Sequence, residues 1–334
     1  MSGSADGDYS VIGYSTNNIG DDIQSVAASR FVPKVDRFIN RENMWRYDGP
    51  NTKMILNGFY MDTSRHFPPS GRIDPLLVSM HVTPVWREGF MKRGREYLRE
   101  HGPVGCRDRS TLEYMLDNGV PAYFSGCLTL TLLPNPAIER QDYILAVDIP
   151  EETVAAMRTM TDRPIFELSH DFWESYDMEV RHRFAKSFLY LYNSAHCVVT
   201  RRMHAALPSL SMGTPAVLLD LDLEKFPERF SGLKELVNCM TQEEFESGGY
   251  DIGAPPPNPE KHLEIRNALV KSCAGFTCHD NGSVIEPVSL PEVMGLVRCT
   301  KTDRIREFHS IWKLEMAKLM YSRFVKKNRP EDIE

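Results

Sequence analysis

Short apolar runs alternate with amphipathic stretches along most of this chain. Tyr9 to Tyr14 reads as a first strand, followed by the polar loop Ser15 to Gly20 and a helix carrying Ile23, Val26 and Ala27 at helical spacing. Asp21 and Asp22 stand where that helix would open. Lys53–Leu56, Leu76–Met80, Val104–Cys106 and Ala122–Phe124 read as further strands, with Pro68-Pro69-Ser70-Gly71 as a loop. A helix carrying Leu112, Met115 and Leu116 stops at Asn118-Gly119, a left-handed cap signal. The alternation in Leu128-Thr129-Leu130-Thr131-Leu132 is strand-like.

The pattern pauses at Leu133-Pro134-Asn135-Pro136 and then starts again. Strands are expected at Tyr143–Val147, Ile165–Leu168, Cys197–Val199 and Ala216–Leu219, with helices near Val154–Met160 and Val180–Asn193. Beyond Glu224 the pattern loosens, and Ser247 to Pro259 reads as an exposed loop. Asp303 to Val325 reads as a long amphipathic helix. The organisation predicted is α/β: two Rossmann-like domains, 1–138 and 139–302, facing a cleft, with 303–334 as a C-terminal helix packing back on the first domain.

Composition changes this picture little. The chain has 334 residues, 42% hydrophobic and 25% charged, an ordinary globular balance. Its net charge of -7 argues against a general nucleic-acid binder. The seven cysteines are scattered, without a C-x-x-C pair; Cys273 and Cys278-His279 form the one close group, with no second ligand cluster. Reduced thiols are expected. The opening residues Met1 to Asp8 lack the character of a signal peptide, and no apolar run approaches a membrane span, so the expected location is cytoplasmic with no integral membrane segment.

The chemistry gathers where strands hand over to helices. Thr200-Arg201-Arg202-Met203-His204 follows one strand and opens a helix. Ligands of open α/β sheets bind at the carboxyl ends of strands. A helix start also offers free N–H groups and positive potential, which discourage cations unless an anion binds. The bland reading is a surface arginine and a histidine filling a niche. The functional one is a phosphate or carboxylate site with His204 as proton carrier. Arg107 repeats the placement in the first half, beside Asp108, which with Ser110 is a natural N-cap. Lys225 lies past the next strand among Asp220, Asp222 and Glu224, either a solvated loop or a cation facing the same cleft. Asp21 or Asp22 caps a helix or accepts hydrogen bonds from sugar hydroxyls, and Asn18 beside them is a candidate substrate contact. No G-x-G-x-x-G follows the first strand, and P-loop, G-x-S-x-G and H-E-x-x-H motifs are missing.

Taken in order, these residues resemble the polysaccharide pyruvyl transferase family. The matching points are Asn18-Ile19-Gly20-Asp21 after a strand; Cys106-Arg107-Asp108-Arg109 before a helix ending in Asn118-Gly119-Val120; Val199 to His204 with Gly213-Thr214-Pro215; and Lys225. The resemblance runs from about Val11 to Leu233. Met203 replaces a more common leucine, Asn135-Pro136 stands where many members show Asp-Pro, and Ser125-Gly126-Cys127 looks like a branch of the family. The resemblance implies a GT-B-like fold and transfer of the pyruvyl group of phosphoenolpyruvate onto a sugar or glycan as a cyclic ketal. It implies that Arg107 and Arg202 hold the donor's phosphate and carboxylate, that His204 is the acid/base, and that Lys225 is a further anion contact. No metal and no cofactor besides the donor are expected. Two other readings share the fold: a glycosyltransferase using a nucleotide sugar, and a sugar-binding protein without catalysis.

Overall fold

Two parallel sheets, one from each half of the chain, carry the architecture. The computed structural model describes residues 8–60, 66–172, 177–221 and 225–286, all within one compact unit. The helix expected at 303–325 lies outside the described residues.

The first sheet has the order β2-β1-β3-β5, from Arg37–Asn40 (β2), Asp8–Gly13 (β1), Thr52–Leu56 (β3) and Ile73–Leu77 (β5). Phe59–Tyr60 (β4) and His81–Val82 (β6), which follow β3 and β5 in the chain, form a separate short parallel pair. A parallel bridge joins Met80 to Cys106 of Val104–Cys106 (β7), which pairs with Ala122–Phe124 (β8). The second sheet has the order β10-β9-β11-β12-β13, built from Ile144–Val147 (β9), Ile165–Leu168 (β10), Cys197–Thr200 (β11), Ala216–Leu219 (β12) and Asn238–Met240 (β13). Every pairing between these strands is parallel. A parallel sheet is covered on both faces, so its strands are unbroken apolar runs: β9, β11 and β12 are buried along their whole length. In each half the strand order reverses next to the first strand, between β1 and β3 and between β9 and β11. Such reversals open a crevice at the strands' carboxyl ends.

Ile19–Ser29 (α1) is buried on every side, including Asp21, Asp22, Gln24 and Ser25. A helix from the first half without a solvent face must be shared. It packs on β1 and also on Met178–Ser194 (α5) and Met203–Ser211 (α6) of the second half. Its buried acid Asp22 receives both Nε and a terminal nitrogen of Arg181 from α5, at 3.1 and 2.6 Å. The loop before α1 is stitched across as well: Ile19 N–H donates to His170 O, and Phe172 N–H to Asn17 O.

The remaining helices are Arg87–Glu100 (α2), Arg109–Asp117 (α3), Glu151–Met160 (α4), Pro227–Phe230 (α7), Gln242–Glu244 (α8) and His262–Thr277 (α9). The segment after α9 returns to the first half, where Asp280 pairs with Arg30 and Asn281 holds Val32 O.

Four sequence expectations need correction. Residues 128–131 form a 3-10 turn, not a strand. Each is buried, and the hydroxyls of Thr129 and Thr131 are satisfied locally by Cys127 Sγ and Leu128 O. α1 is capped by Asn18, whose Oδ1 accepts from Gly20 N–H, not by Asp21 or Asp22. β5 runs over 73–77 rather than 76–80, because Ser79 (φ +55°) bends the chain out of the strand. Beyond Glu224 the chain is more regular than expected, with β13 and α9.

Candidate functional site

The two crevices face one cavity of about 150 Å³. Asn18 and Arg107 line it from the first half, and His170, Arg201 to His204, Phe226, Arg229, Phe230 and Leu233 from the second. The sequence singled out Asn18, Arg107, Arg202 and His204, and the fold brings these four together. Lys225 is exposed and is not among the lining residues; Arg229, on α7 just beyond it, is. Asp21 does not line the cavity either. Its carboxylate accepts from Thr16 Oγ1 at 2.8 Å and from Gln24 Nε2 at 3.4 Å, and Gln24 Oε1 lies 3.5 Å from a terminal nitrogen of Arg107. Asp21 therefore reaches the site only through Gln24.

Arg107 follows β7, and Asp108 takes the capping duty, its Oδ1 accepting from Thr111 N–H at the start of α3. Asp108 Oδ2 holds buried His81 at 2.5 Å. This leaves Arg107 without a carboxylate. It is only 3% exposed, its Nε is buried without a hydrogen-bond partner, and its guanidinium lies 5.4 Å from the ring of Phe59. The guanidinium of Arg229 lies 4.9 Å from the same ring. Two cations around one aromatic face repel each other, and burial strengthens that repulsion. An anion between them relieves it.

Arg202 is the N-cap of α6 and has a carboxylate partner. Its Nε donates to Asp148 Oδ2 at 2.6 Å, while its side chain remains about one-third exposed (34%). Asp148 ends β9 in the left-handed region (φ +54°), which turns its carboxylate toward both Arg202 and the backbone N–H of His170. Burial raises the Asp148 carboxyl, but His170, Arg202 and hydrogen bonds outweigh it and hold the group below its ordinary range.

His204, in the first turn of α6, is buried (8% exposed) and makes no hydrogen bond among the described residues. Burial first, and then the charges of Arg107, His170, Arg229 and Arg202, push its pKa well below the usual value. These influences favour the neutral imidazole. A bound anion would oppose those cations and move the pKa back toward neutrality.

Sequence reasoning missed Arg229, His170 and Asp148. The rule that found Arg107 and Arg202, polar groups just after a strand, applies equally to Asp148 after β9 and to His170 after β10. Arg229 carries no such signal; it is placed by the short helix that Pro227 starts. Among the described residues no group of three or more His, Cys, Asp or Glu could hold a metal ion, and no helix is long and apolar enough to cross a membrane.

Comparison with known proteins bears on this geometry. Residues 76–222 match the family model of polysaccharide pyruvyl transferase, a span containing Arg107, His170, Arg202 and His204. The resemblance read from the sequence is thus shown over that span. No curated protein matches. A solved structure of an uncharacterized protein from Klebsiella pneumoniae subsp. pneumoniae is similar at 14% identity, covering 66% of this chain and 87% of that one, with a TM-score of 0.40.

Proposed function

We propose that this protein is a transferase that moves the pyruvyl group of phosphoenolpyruvate onto two hydroxyls of a sugar as a cyclic ketal, releasing phosphate. The observation that carries the reading is the charge of the cavity wall: four arginines and two histidines with no carboxylate among the lining residues. Phosphoenolpyruvate brings a phosphate and a carboxylate on three carbons, and planar guanidinium forks suit both. In this reading Arg107 and Arg229 take one anionic group and Arg202 the other. Lys225, outside the lining residues, attracts the donor at longer range.

His204 is the acid/base. Protonating the methylene carbon of the donor makes the adjacent carbon electrophilic, and a sugar hydroxyl then attacks it. Asn18, at the start of α1, borders the space left for the acceptor. We read the two parallel sheets as Rossmann-like units facing one another across this cavity, the GT-B arrangement.

The test is incubation of the purified chain with phosphoenolpyruvate and a panel of galactosides, mannosides and amino sugars. Phosphate release and a product heavier by one pyruvyl ketal are expected. His204→Ala should remain folded and lose turnover. Tight binding of a nucleotide sugar, with no phosphate released from phosphoenolpyruvate on any acceptor, would overturn the reading.

A further inference from the structure

Gly20 marks the point where two histidines meet. A Cβ built on Gly20 would lie 2.9 Å from His170 Nδ1 and 3.2 Å from His204 Cβ. The missing side chain leaves room for the His170 ring and for the base of the His204 side chain, and both histidines line the cavity. His170 lines that cavity although it is only 1% exposed. Its Nε2 shares a 2.7 Å hydrogen bond with the hydroxyl of fully buried Tyr192, and its backbone N–H donates to Asp148 at 3.0 Å. The ring is therefore fixed at its far nitrogen, and Nδ1 is left to exchange a proton with a ligand. A histidine buried only for packing needs neither a cavity wall nor a glycine opposite its nitrogen.

We propose that His170 is a second catalytic proton carrier, working with His204 and positioned by Tyr192. The inference rests on the ketal-transfer reading above. Ketal formation moves protons twice, in opposite directions, and one histidine cannot be acid and base in the same half-reaction. His204 feels the charges of Arg107, Arg229 and Arg202, whereas His170 feels Arg202 together with the carboxylate of Asp148. In the first half, the bound donor's negative charge draws a proton from solvent onto His204. His204 gives this proton to the methylene carbon, whose double-bond pair forms the new C–H bond. The first sugar hydroxyl bonds to the electrophilic carbon, and its proton passes to His170 Nδ1. In the second half, the bond from that carbon to the phosphate oxygen breaks and phosphate leaves with the bonding pair, taking the proton from His170. The second hydroxyl closes the ketal and returns its proton to His204. Two protons leave the sugar, one ends on the methyl group and one on phosphate, and both histidines regain their starting states.

The experiment compares His170→Gln, His170→Asn, Tyr192→Phe and His204→Gln with the unaltered chain. It measures phosphate release on the acceptor panel, together with phosphoenolpyruvate affinity and melting temperature. The expected result for either His170 variant is a kcat lower by about 100-fold or more, within the usual range for loss of a general acid or base. Affinity for phosphoenolpyruvate should stay within about threefold, because Nδ1 transfers a proton rather than holding the donor's charge. Tyr192→Phe should lower kcat by a smaller factor at unchanged affinity, which a packing role would not do. Unchanged kcat in both His170 variants overturns the inference while leaving the transferase reading intact. Loss of donor affinity in step with kcat reassigns His170 to binding and also overturns it. No phosphate release from the unaltered chain on any acceptor overturns the parent reading, and this inference with it.

Discussion

Arg107→Met separates stability from function at one position. Arg107 is a buried cation with an unpartnered Nε, a long 3.5 Å contact to Gln24, and Arg229 around the same phenyl ring. An unsatisfied buried donor costs about 1–3 kcal/mol. Removing the guanidinium recovers that cost and relieves the repulsion with Arg229, while losing a cation–π contact worth about 0.5–2 kcal/mol. Methionine fills most of the volume with a flexible apolar chain. The net expectation is an apo protein as stable as the parent or up to about 2 kcal/mol more stable. Donor binding moves the opposite way: losing one charge-assisted hydrogen bond, about 1.5–3 kcal/mol, weakens affinity by about 10- to 100-fold. Thermal denaturation with and without phosphoenolpyruvate reads both. At a concentration near 100 times its Kd the donor should stabilise the parent by about 2.7 kcal/mol, and at that same concentration the variant should gain far less. A variant that is clearly less stable, yet equally stabilised by the donor, would refute the argument that Arg107 is strained for the sake of an anion.

Three further expectations follow from the same geometry. Arg229→Gln should weaken phosphoenolpyruvate binding at least about tenfold, whereas Lys225→Gln should change it by less than about threefold; equal losses in a calorimetric titration would place Lys225 at the anion after all. Gly20→Ala pushes a methyl group to 2.9 Å from His170 Nδ1, an overpacking that costs about 1–3 kcal/mol and lowers kcat, and crystal structures of parent and variant would show the two rings displaced. His182 is buried against Phe38, with burial and then Lys186 holding its pKa near 3. Since its folded pKa lies below the ordinary 6.5, its contribution is fully present above pH 6.5 and falls by about 1.4 kcal/mol per unit as pH drops from about 6.5 toward 3. His182→Phe should flatten that part of the pH–stability curve; an unchanged slope would remove His182 as a cause.

Much of the framework is legible in local pattern, because parallel strands buried on both faces leave unbroken apolar runs such as Ile144–Val147 and Ala216–Leu219. Arg107, Arg202 and His204 were legible for a related reason: each lies within four residues of a strand's carboxyl end, where a cation has no structural duty. What failed was non-local. The alternation of residues 128–131 suggests one solvated face, but α1, α6 and α9 cover the turn from all sides. Lys225 and Arg229 look alike in sequence, and only the direction of α7 decides which one lines the cavity. Nothing local marks His170, because Tyr192, 22 positions on, returns to hold its ring.

The wholly buried helix α1 also determines how this chain can be cut. Covalently it belongs to the first sheet, but its Asp22 neutralises Arg181 of the second, and both are out of water. A fragment beginning after residue 138 would present Arg181, Phe172 and the apolar flank of α5 to solvent, while the complementary fragment would present the face of α1 that carries Asp22. Uncovering two apolar helix faces at once removes burial from both halves, and a domain's net stability is small enough for that to matter. The halves are therefore poor independent modules. Exchanging acceptor specificity between related chains requires α1 and α5 to be transplanted together, so the unit of engineering is a helix pair and not a sheet.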